Sequence, residues 1–433
     1  MKILYIFCDM LRAERLQSVN PQIKVKTPID RCFEKLGGTC FTNAYTPAPD
    51  TSRSLACFQT GLMPNKNGCR KYVQYAADYL ETDEHIFKTL YQQGYKIHAL
   101  VTPFGPERGD YAHDFFDYVT PYYDFRRAIE AIKKCNSEKQ VTYLVIDDYH
   151  DAIDISATLW GHKTGQKHLS NAFSILFDEI PVDYFDDIFI FSDHGCTLDI
   201  DYPNPRINKL NDYLSKITLF WHRKGDTTLK KDNHIVSILD IYPTTLEILK
   251  LKPTANIDGV SLFTPDKERF IVIENNILSP DAWNHILTLN GVWALRNRDY
   301  FFVQTIDQDY YLHLDANYRL QKVVNGNYVT IHHPPQALLD DFRHKIEIHS
   351  CHYREFNRIR KQRERRQNFK IFSHLLPATS YGADGGAIAY ADGQPYEKKP
   401  ILPNMKRDIK KNVYDIYHGL STIKYNLTRF FAK

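Results

Sequence analysis

The tripeptide Asp193-His194-Gly195 combines residue types that suit a metal site. It follows the apolar run 188–191, whose β-branched and aromatic residues predict a buried strand. Open α/β sheets bind ligands beyond the carboxyl ends of their strands, where this Asp and His would lie. A divalent ion such as zinc accepts oxygen and nitrogen donors, and glycine allows the backbone to turn close to the ion. The alternative is a surface Asp-His turn without a ligand.

A second candidate ligand lies at the end of the first predicted strand. Residues 2–8 form another apolar run, and Asp9 comes directly after it. Predicted strands and helices alternate up to residue 250, which indicates βαβ units and a largely parallel sheet. Asp9, Asp193 and His194 thus come from two strand ends and could hold one cation.

Five segments in the same order resemble the sulfatase and alkaline-phosphatase superfamily. They are the opening strand with Asp9 and the stretches 27–68, 189–195, 234–249 and 257–263. The resemblance implies an α/β fold with a large mixed, mostly parallel sheet flanked by helices. It also implies a metal-binding Asp at the end of the first strand and a small C-terminal antiparallel subdomain.

The resemblance further implies the position of a nucleophile. In this superfamily it lies nine positions before the Thr of a Thr-Gly pair, and Thr60-Gly61 therefore indicates Thr51. Sulfatases carry Cys or Ser there and oxidise it to formylglycine, which threonine cannot form. The pattern Thr51-x-x-Ser54-Leu55-x-Cys57 is similar to the nucleophile segment of phosphoethanolamine transferases.

A second departure from sulfatases concerns the grip on the sulfate group. Sulfatases follow a Gly-Tyr pair with a Gly-Lys-Trp-His stretch that holds the sulfate. This chain has Gly94-Tyr95-Lys96 and then residues 101–105, without that lysine and histidine. The resemblance therefore fits the fold better than it fits sulfatase chemistry.

The residues around Thr51 suit phosphoryl transfer. A threonine hydroxyl is a poor nucleophile at its ordinary pKa, and a cation on its oxygen favours the alkoxide. A helix that begins at Thr51 would also favour a phosphate at its N-terminal amides. Thr51 could instead be an ordinary N-cap. Arg53 could steady a phosphoryl oxygen or be a solvated charge.

Three more polar residues follow the predicted strand 141–146. In the phosphodiesterase branch of the superfamily, an Asp and the His of a G-H-x-x-G motif bind a second metal, which would assign Asp154 and His162. In the sulfatase-like branch, a His after the same strand contacts the substrate, which would assign His150. Either His could protonate the leaving oxygen, and an exposed loop residue is the alternative for each. We expect one divalent metal, with a second as an alternative, and zinc, manganese and magnesium all remain open.

Composition limits the partners and the compartment. The chain has 433 residues, 43% of them hydrophobic and 25% charged, and a net charge of +3, so nucleic acid is an unlikely partner. The first strand begins at residue 2 without a preceding secretory signal, and no apolar run reaches the roughly 18 residues of a membrane-spanning helix. The eight cysteines form no CxxC pairs. We therefore expect a cytoplasmic protein with free thiols.

The sequence predicts three regions. Residues 1–265 form the catalytic α/β domain, 266–345 a small C-terminal α+β subdomain of the same fold, and 346–433 a basic, helical extension. The extension contains a Gly-rich loop at 380–395. These boundaries follow the end of the superfamily resemblance and the change in composition.

Two helices are predicted in the extension. The Arg- and Lys-rich segment 354–370 predicts a helix with a basic surface, and a final helix spans 404–431. An apolar stripe follows the final helix along Ile409, Val413, Ile416, Leu420, Ile423, Leu427 and Phe430. The stripe could pack on the catalytic domain, join two chains as a homodimer, or make a peripheral membrane contact.

We therefore predict a metal-dependent hydrolase or transferase of phosphoryl or substituted-phosphoryl groups. It would act through a covalent intermediate on Thr51, and its substrate would be a small-molecule or glycan phosphate ester, with a cell-envelope glycan precursor as one candidate. The first alternative is a sulfuric-ester hydrolase without formylglycine. The second is a non-catalytic scaffold that keeps the fold.

Overall fold

The computed structural model of the chain forms two compact units, Met1–Lys361 and Gln362–Lys433. It describes residues 1–70, 80–102, 115–122, 124–200, 210–253, 256–277, 290–305, 318–324, 326–351 and 353–354, and the backbone of three short segments between 379 and 395. The predicted boundaries at residues 265 and 345 remain predictions.

An eight-stranded sheet forms the centre of the first unit. Its strands are β1 (Lys2–Cys8), β2 (Gly38–Tyr45), β3 (Lys96–Val101), β4 (Tyr118–Pro121), β5 (Gln140–Ile146), β6 (Asp187–Phe191), β7 (Leu219–Arg223) and β8 (Leu229–Ser237). The order across the sheet is β4-β3-β5-β1-β6-β7-β2-β8. All neighbours are parallel except β7, which runs antiparallel to β6 and β2. The predicted mixed, mostly parallel sheet is confirmed.

The register of the central strands brings their carboxyl ends together. β1 lies between β5 and β6, and Phe7 pairs with Val145 on one side and with Phe191 on the other. The three strands therefore end at one level, and Asp9 leaves β1 beside the residues that follow β6. Every residue of β5 and β6 is buried, because helices cover both faces of a parallel sheet.

Ten helices are described in this unit. They are α1 (Pro28–Leu36), α2 (Thr51–Thr60), α3 (Pro64–Asn67), α4 (Ile86–Gln92), α5 (Phe125–Lys134), α6 (Asp148–Ile155), α7 (Leu159–Glu179), α8 (Asp212–Ser215), α9 (Ile241–Ile248) and α10 (Gln336–His349). Tyr5 and Phe7 face a core that includes residues of α2, α4, α9 and α10. Leu4 and Ile6 face a second core with residues of α1, α5, α6 and α7. The alternation of side chains along β1 thus supplies both faces of the sheet.

A second, antiparallel sheet contains five strands in sequence order. They are β9 (Phe270–Ile277), β10 (Asn290–Asn297), β11 (Tyr300–Thr305), β12 (Tyr318–Val324) and β13 (Asn327–Thr330). Helix α10 packs on this sheet through Phe342, whose ring contacts Tyr300 and Phe302. The predicted small antiparallel subdomain is confirmed.

The Gly-rich segment of the second unit differs from the prediction. Instead of one loop over 380–395, the structure has short antiparallel strands, β14 (Thr379–Tyr381), β15 (Ala387–Ala391) and β16 (Gln394–Pro395). The physical reason is that the run Ala-Ile-Ala-Tyr-Ala can pair as a strand. The final helix predicted for 404–431 and nearly all of the basic segment 354–370 lie outside the described residues.

The described residues contain no helix that is both long enough and apolar enough to cross a membrane.

Candidate metal and nucleophile site

Three predicted ligands converge at the carboxyl edge of the large sheet. Asp9 follows β1, and Asp193 and His194 follow β6, with ligand atoms of all three within 4.8 Å of one another. All three residues are buried. The surface-turn alternative for Asp193-His194 is therefore wrong, and the sequence correctly grouped these residues.

The carboxylate of Asp193 is oriented by the backbone. Its Oδ1 accepts hydrogen bonds from the N–H groups of Met10 (3.1 Å) and His194 (2.8 Å). Its Oδ2 is buried, accepts no hydrogen bond from the described part of the chain, and lies 3.3 Å from Nε2 of His194. One oxygen is thus fixed by the protein, whereas the other faces the cluster.

The backbone next to Asp9 is in an uncommon conformation. Met10 has a φ of 60°, in the left-handed region, which costs a non-glycine residue about 1 kcal/mol. The hydrogen bond from the Met10 N–H to Asp193 offsets part of this cost. The strained turn places two candidate ligands, Asp9 and Asp193, side by side.

The ring of His194 presents Nε2 to the cluster. Its Nδ1 lies 2.6 Å from the carbonyl oxygen of Gly195, which can only accept, so Nδ1 donates and Nε2 carries the lone pair in the neutral ring. Burial lowers the pKa of His194, but the carboxylates of Asp193, Asp9 and Asp50 and the hydrogen bond to Gly195 together raise it, and the net pKa is raised. The carboxylates thus favour a positive charge at this place, either as a proton on the ring or as a bound cation.

The close approach of helix α8, rather than a turn near an ion, requires a glycine at position 195. A Cβ atom at this position would lie 2.0 Å from the carbonyl oxygen of Tyr213. The Gly195 N–H also donates to the carbonyl oxygen of Leu214 at 2.9 Å. The predicted reason for the glycine is corrected. A glycine at position 195 allows the loop that contains Asp193 and His194 to pass close to α8.

Thr51 faces the same cluster from the start of α2. Its Oγ1 lies 3.4 Å from Nε2 of His194. The N-cap of α2 is Asp50, whose side chain accepts from the N–H of Arg53. The N-cap alternative for Thr51 is therefore wrong, and its hydroxyl is not used to cap the helix.

Helix α2 is hydrogen-bonded directly to the loop that contains Asp193 and His194. The hydroxyl of Ser54 donates to the carbonyl oxygen of Asp193 at 2.8 Å and lies 2.7 Å from the hydroxyl of Thr46. These contacts join the end of β2, the start of α2 and the end of β6. They fix the position of Thr51 relative to the candidate ligands.

Arg53 is not the solvated charge that was one of its two predicted roles. The side chain is fully buried, and its Nε donates to Oδ2 of Asp50 at 2.6 Å. Its role in steadying a phosphoryl oxygen stays a prediction. Its spacing from Thr51 correctly placed it near the helix start, but the sequence did not show which way the side chain points.

The possible second metal site at Asp154 and His162 is contradicted. Asp154 is exposed and its Oδ2 lies 3.4 Å from Nδ1 of His150, whereas His162 is buried in α7 with Nδ1 2.7 Å from the hydroxyl of Tyr149. Within the described residues, the only group of three such side chains close enough to hold an ion is Asp9, Asp193 and His194. His150 lies on α6, directly after β5, and not in the polar loop that the sequence predicted there. Its substrate role stays a prediction.

The sequence analysis did not assign Asp147 and Asp148, the acidic residues that follow β5, to this edge of the sheet. Burial raises the pKa of the Cys8 thiol, and the carboxylates of Asp148, Asp147, Asp193 and Asp9 raise it further. Asp147 also accepts a hydrogen bond from the hydroxyl of Thr102. The signal was available, since Asp147 follows a buried strand as Asp9 does. This concentration of negative charge favours a bound cation.

The side chains present fit a divalent metal. Two carboxylates, one imidazole and one hydroxyl supply oxygen and nitrogen donors, which suit zinc, manganese or magnesium. The Oδ2 atom of Asp193 is buried and accepts no hydrogen bond from any described residue, as expected for an oxygen that binds a cation.

Solved structures share this fold. No protein-family model and no curated protein matches the sequence. A 2-O GAG sulfatase gives a TM-score of 0.61 at 14% identity over 82% of this chain and 93% of that one. Ps i-CgsB in complex with k-i-k-neocarrahexaose gives 0.59 at 19% identity over 85% and 99%. A protein of the alkaline phosphatase superfamily from Vibrio parahaemolyticus gives 0.57 at 13% identity over 78% and 83%. The chain therefore has the fold of sulfatases and of the alkaline-phosphatase superfamily.

Proposed function

We propose that the protein is a metal-dependent enzyme that hydrolyses or transfers a phosphoryl or substituted-phosphoryl group through a covalent intermediate on Thr51. The observation that carries the proposal is the contact between Oγ1 of Thr51 and Nε2 of His194, 3.4 Å apart, at a buried group of candidate ligands. A nucleophile, candidate metal ligands and a helix N-terminus meet at one point of the sheet edge.

Each residue has a role that follows from its position. Asp9, Asp193 and His194 would hold a divalent ion, which when bound favours the alkoxide of a nearby hydroxyl and stabilises charge on a phosphoryl group. Thr51 supplies the attacking oxygen. The positive end of the α2 dipole stabilises the phosphoryl oxygens in front of it.

The reaction would exchange one ester bond for another. Oγ1 of Thr51 gives up its proton to solvent and forms a bond to phosphorus as the bond from phosphorus to the leaving oxygen breaks, and the leaving oxygen takes up a proton. Water or an acceptor alcohol then gives up a proton and attacks phosphorus, the bond from phosphorus to Oγ1 breaks, and the released Thr51 oxygen takes up a proton. We assign the proton transfer to His150, which lies on the helix that follows β5, beside the acidic edge.

A sulfate ester is the second candidate substrate. The solved structures with this fold include a 2-O GAG sulfatase, which favours this alternative. The threonine at position 51 opposes it, because sulfatases use a formylglycine made from Cys or Ser. A phosphate monoester also carries more negative charge than a sulfate monoester, and cations favour it more strongly.

The scaffold alternative has little support from the site. A protein that had lost catalysis would have no reason to keep Asp9, Asp193 and His194 in one buried cluster with the Thr51 hydroxyl beside it. Metal analysis of the purified protein separates the two classes. A protein that contains no divalent metal, and stays inert with added zinc, manganese or magnesium, would support the scaffold.

The substrate, the partners and the compartment remain proposals. We propose a small-molecule or glycan phosphate ester, with a cell-envelope glycan precursor as a candidate because of the similarity of the Thr51 segment to phosphoethanolamine transferases. A homodimer or a peripheral membrane contact through the predicted final helix, and a cytoplasmic location, are further proposals.

A trapped intermediate on Thr51 is the direct test. The protein is incubated with p-nitrophenyl phosphate, bis(p-nitrophenyl) phosphate and p-nitrophenyl sulfate, and intact mass and peptide mapping identify any adduct. We expect a phosphate-type adduct on the Thr51 peptide, none in Thr51→Ala, and retention in Thr51→Ser, which keeps the hydroxyl. A sulfate rate above both phosphate rates would favour the sulfatase alternative. Activity of Thr51→Ala above a tenth of the wild-type rate would contradict the covalent mechanism.

A further inference from the structure

Helix α6 begins beside the candidate ligands. In the register of β1 and β5, Cys8 pairs with Ile146. Asp9 and Asp147, the next residues, therefore leave adjacent strands side by side. His150 lies three residues after Asp147, in the first turn of α6. Because adjacent strands are about 4.8 Å apart and one helical turn rises about 5.4 Å, the backbone of His150 lies on the order of 10 Å from that of Asp9. The direction of the His150 side chain then depends on how α6 is rotated about its axis.

Tyr149, the residue before His150, fixes this rotation. Its side chain is fully buried, and its hydroxyl is hydrogen-bonded to Nδ1 of His162 on α7 at 2.7 Å. The two rings also pack edge to face, with centroids 5.7 Å apart and planes at 87°. His162 is itself buried. The first turn of α6 is thus held to α7 by a hydrogen bond and by a ring contact.

The backbone of α7 lies directly against Tyr149. A Cβ atom on Gly165 would lie 2.9 Å from Cδ2 of Tyr149 and 3.0 Å from its Cα. On the other side, the Tyr149 hydroxyl lies 3.9 Å from Sγ of Cys196, two residues after His194. One buried hydroxyl therefore contacts both α7 and the loop that contains Asp193 and His194.

We propose that Tyr149 is a positioning residue for His150, with His162 as its hydrogen-bond partner. The Tyr149 hydroxyl sets the rotation of α6, and so the direction in which His150 presents its ring to the leaving oxygen. Proton transfer requires the two heavy atoms to lie about 2.6–3.2 Å apart, so a small rotation of the helix would slow it. This inference rests on the proposed function, since it concerns the residue to which the proton transfer is assigned.

The dependence of the rate on the leaving group tests this role. p-Nitrophenol leaves as a stable anion and needs little help from an acid, whereas phenol is a much weaker acid and depends on protonation. The full-length protein, loaded with Zn²⁺ or Mn²⁺, is assayed on p-nitrophenyl phosphate and on phenyl phosphate. Tyr149→Phe keeps the ring but removes the hydroxyl, and with it the contacts to His162 and Cys196. His162→Leu removes the same hydrogen bond from the other side, and it takes the place of Tyr149→Phe if that variant does not fold.

The expected result is a selective loss on the poorer leaving group. For Tyr149→Phe, kcat/KM falls about tenfold or more on phenyl phosphate and stays within about threefold on p-nitrophenyl phosphate, since general acid catalysis contributes about 10²–10⁴-fold. His150→Ala shows the same pattern more strongly, and adding Tyr149→Phe to it changes the ratio of the two rates no further. The matched control is Tyr5→Phe, which leaves the ratio unchanged. Tyr5 is fully buried in the core on the opposite face of the sheet, with its hydroxyl 2.8 Å from Oγ1 of Thr245.

Nuclear magnetic resonance observes His150 without turnover. In protein with ¹³C-labelled histidine, the ring signal of His150 is identified by its absence in His150→Ala. This signal should shift in Tyr149→Phe and in His162→Leu, and it should stay in place in Tyr5→Phe. An unchanged His150 signal in both test variants contradicts the positioning role.

The outcomes separate the inference from the proposed function. A selective loss in His150→Ala, but in neither Tyr149→Phe nor His162→Leu, overturns the inference alone. If His150→Ala shows no selective loss, the assignment of the proton transfer to His150 fails and the inference fails with it, while an adduct on Thr51 would still support the covalent mechanism. A selective loss in Tyr5→Phe shows general destabilisation and overturns the positioning role. A wild-type protein that processes neither phosphate and forms no adduct on Thr51 overturns both proposals.

Discussion

At the scale of single residues, the chemistry of the site depends on which oxygen atoms already accept hydrogen bonds from the protein. The Oδ1 atom of Asp193 is held by two backbone N–H groups, and Oδ2 faces the candidate ligand cluster. Asp50 caps α2, so the hydroxyl of Thr51 can face His194. Because the backbone bonds only Oδ1 of Asp193, and Asp50 caps the helix, Oδ2 of Asp193 and the hydroxyl of Thr51 stay available for chemistry.

The Asp193 carboxylate should be required for metal binding. We expect Asp193→Ala to weaken Zn²⁺ or Mn²⁺ binding by more than about tenfold, because loss of one carboxylate leaves the ion under-coordinated, and even outer-shell changes cost about 10–100-fold. Calorimetric titration measures the affinity. Excess metal should also raise the melting temperature of the wild type and fail to raise that of the variant. Full metal occupancy in Asp193→Ala would remove this residue from the site.

Glu274 should make stability depend on pH. Its carboxyl pKa is raised from 4.5 to about 7 in the folded protein, so the folded state binds this proton more tightly than the unfolded state. The resulting stabilisation is present below pH 4.5 and is lost as the pH rises to 7, by about 3 kcal/mol at most. Glu274→Gln cannot ionise, so its free energy of unfolding relative to the wild type should increase between pH 5 and pH 8. Urea titrations at the two pH values decide this, and a constant difference would contradict it.

The sequence predicted the ligands better than their surroundings. Asp9, Asp193 and His194 were predictable because each follows a buried strand, and strand ends in a parallel sheet meet at one edge. The burial of Arg53 and its contact with Asp50 were not predictable, because the sequence does not show which side chains pack around the start of a helix. Spacing along the sequence shows that a residue lies near a site. Packing against other parts of the chain determines which way its side chain points.

At the scale of elements, the G-H-x-x-G motif serves the packing of α6 against α7. A Cβ atom on Gly161 would lie 1.9 Å from the carbonyl oxygen of Ser156, and one on Gly165 would lie 2.9 Å from the ring of Tyr149. Between these glycines lies His162, whose Nδ1 is hydrogen-bonded to the hydroxyl of Tyr149. The superfamily resemblance suggested metal chemistry for residue types that here allow two helices to approach closely.

Gly161→Ala should therefore destabilise the protein, although alanine normally favours a helix. Alanine gains about 1 kcal/mol over glycine in a helix, but overpacking against backbone costs about 1–3 kcal/mol, and a backbone oxygen at 1.9 Å cannot move as a side chain can. We expect a net loss of stability in thermal and urea unfolding. Lys163→Ala, an exposed position on the same helix, is the control and should change little. An unchanged or higher melting temperature for Gly161→Ala would show that the α6–α7 junction is not tightly packed.

At the scale of the whole molecule, the first unit contains every described contact of the site. The candidate ligands, Thr51 and the contact between Asp50 and Arg53 all lie within residues 1–361. The core that packs against α2 also includes α10, through the buried side chains Leu339, Phe342 and Ile346. The nucleophile helix and the last described helix of this unit thus share one core, which ties the small sheet to the site.

The last prediction is that a chain ending at Lys361 folds and binds metal as the full chain does. The described core and the candidate site lie within residues 1–361, so we expect a melting temperature and a Zn²⁺ or Mn²⁺ affinity close to those of the full chain. A chain ending at Pro334 is the control. It lacks α10, and loss of three buried apolar side chains at about 2 kcal/mol each removes much of the roughly 5–15 kcal/mol by which a domain is stable.

Calorimetry and size-exclusion chromatography distinguish the possible results. A large loss of thermal stability on ending at Lys361 would contradict this prediction and support packing of the predicted final helix on the catalytic domain. A change from dimer to monomer with unchanged stability and metal affinity would instead assign the apolar stripe of 404–431 to a homodimer. If both stay the same, binding of the two chains to anionic vesicles tests the remaining alternative, because a membrane-contacting stripe would be lost with residues 362–433.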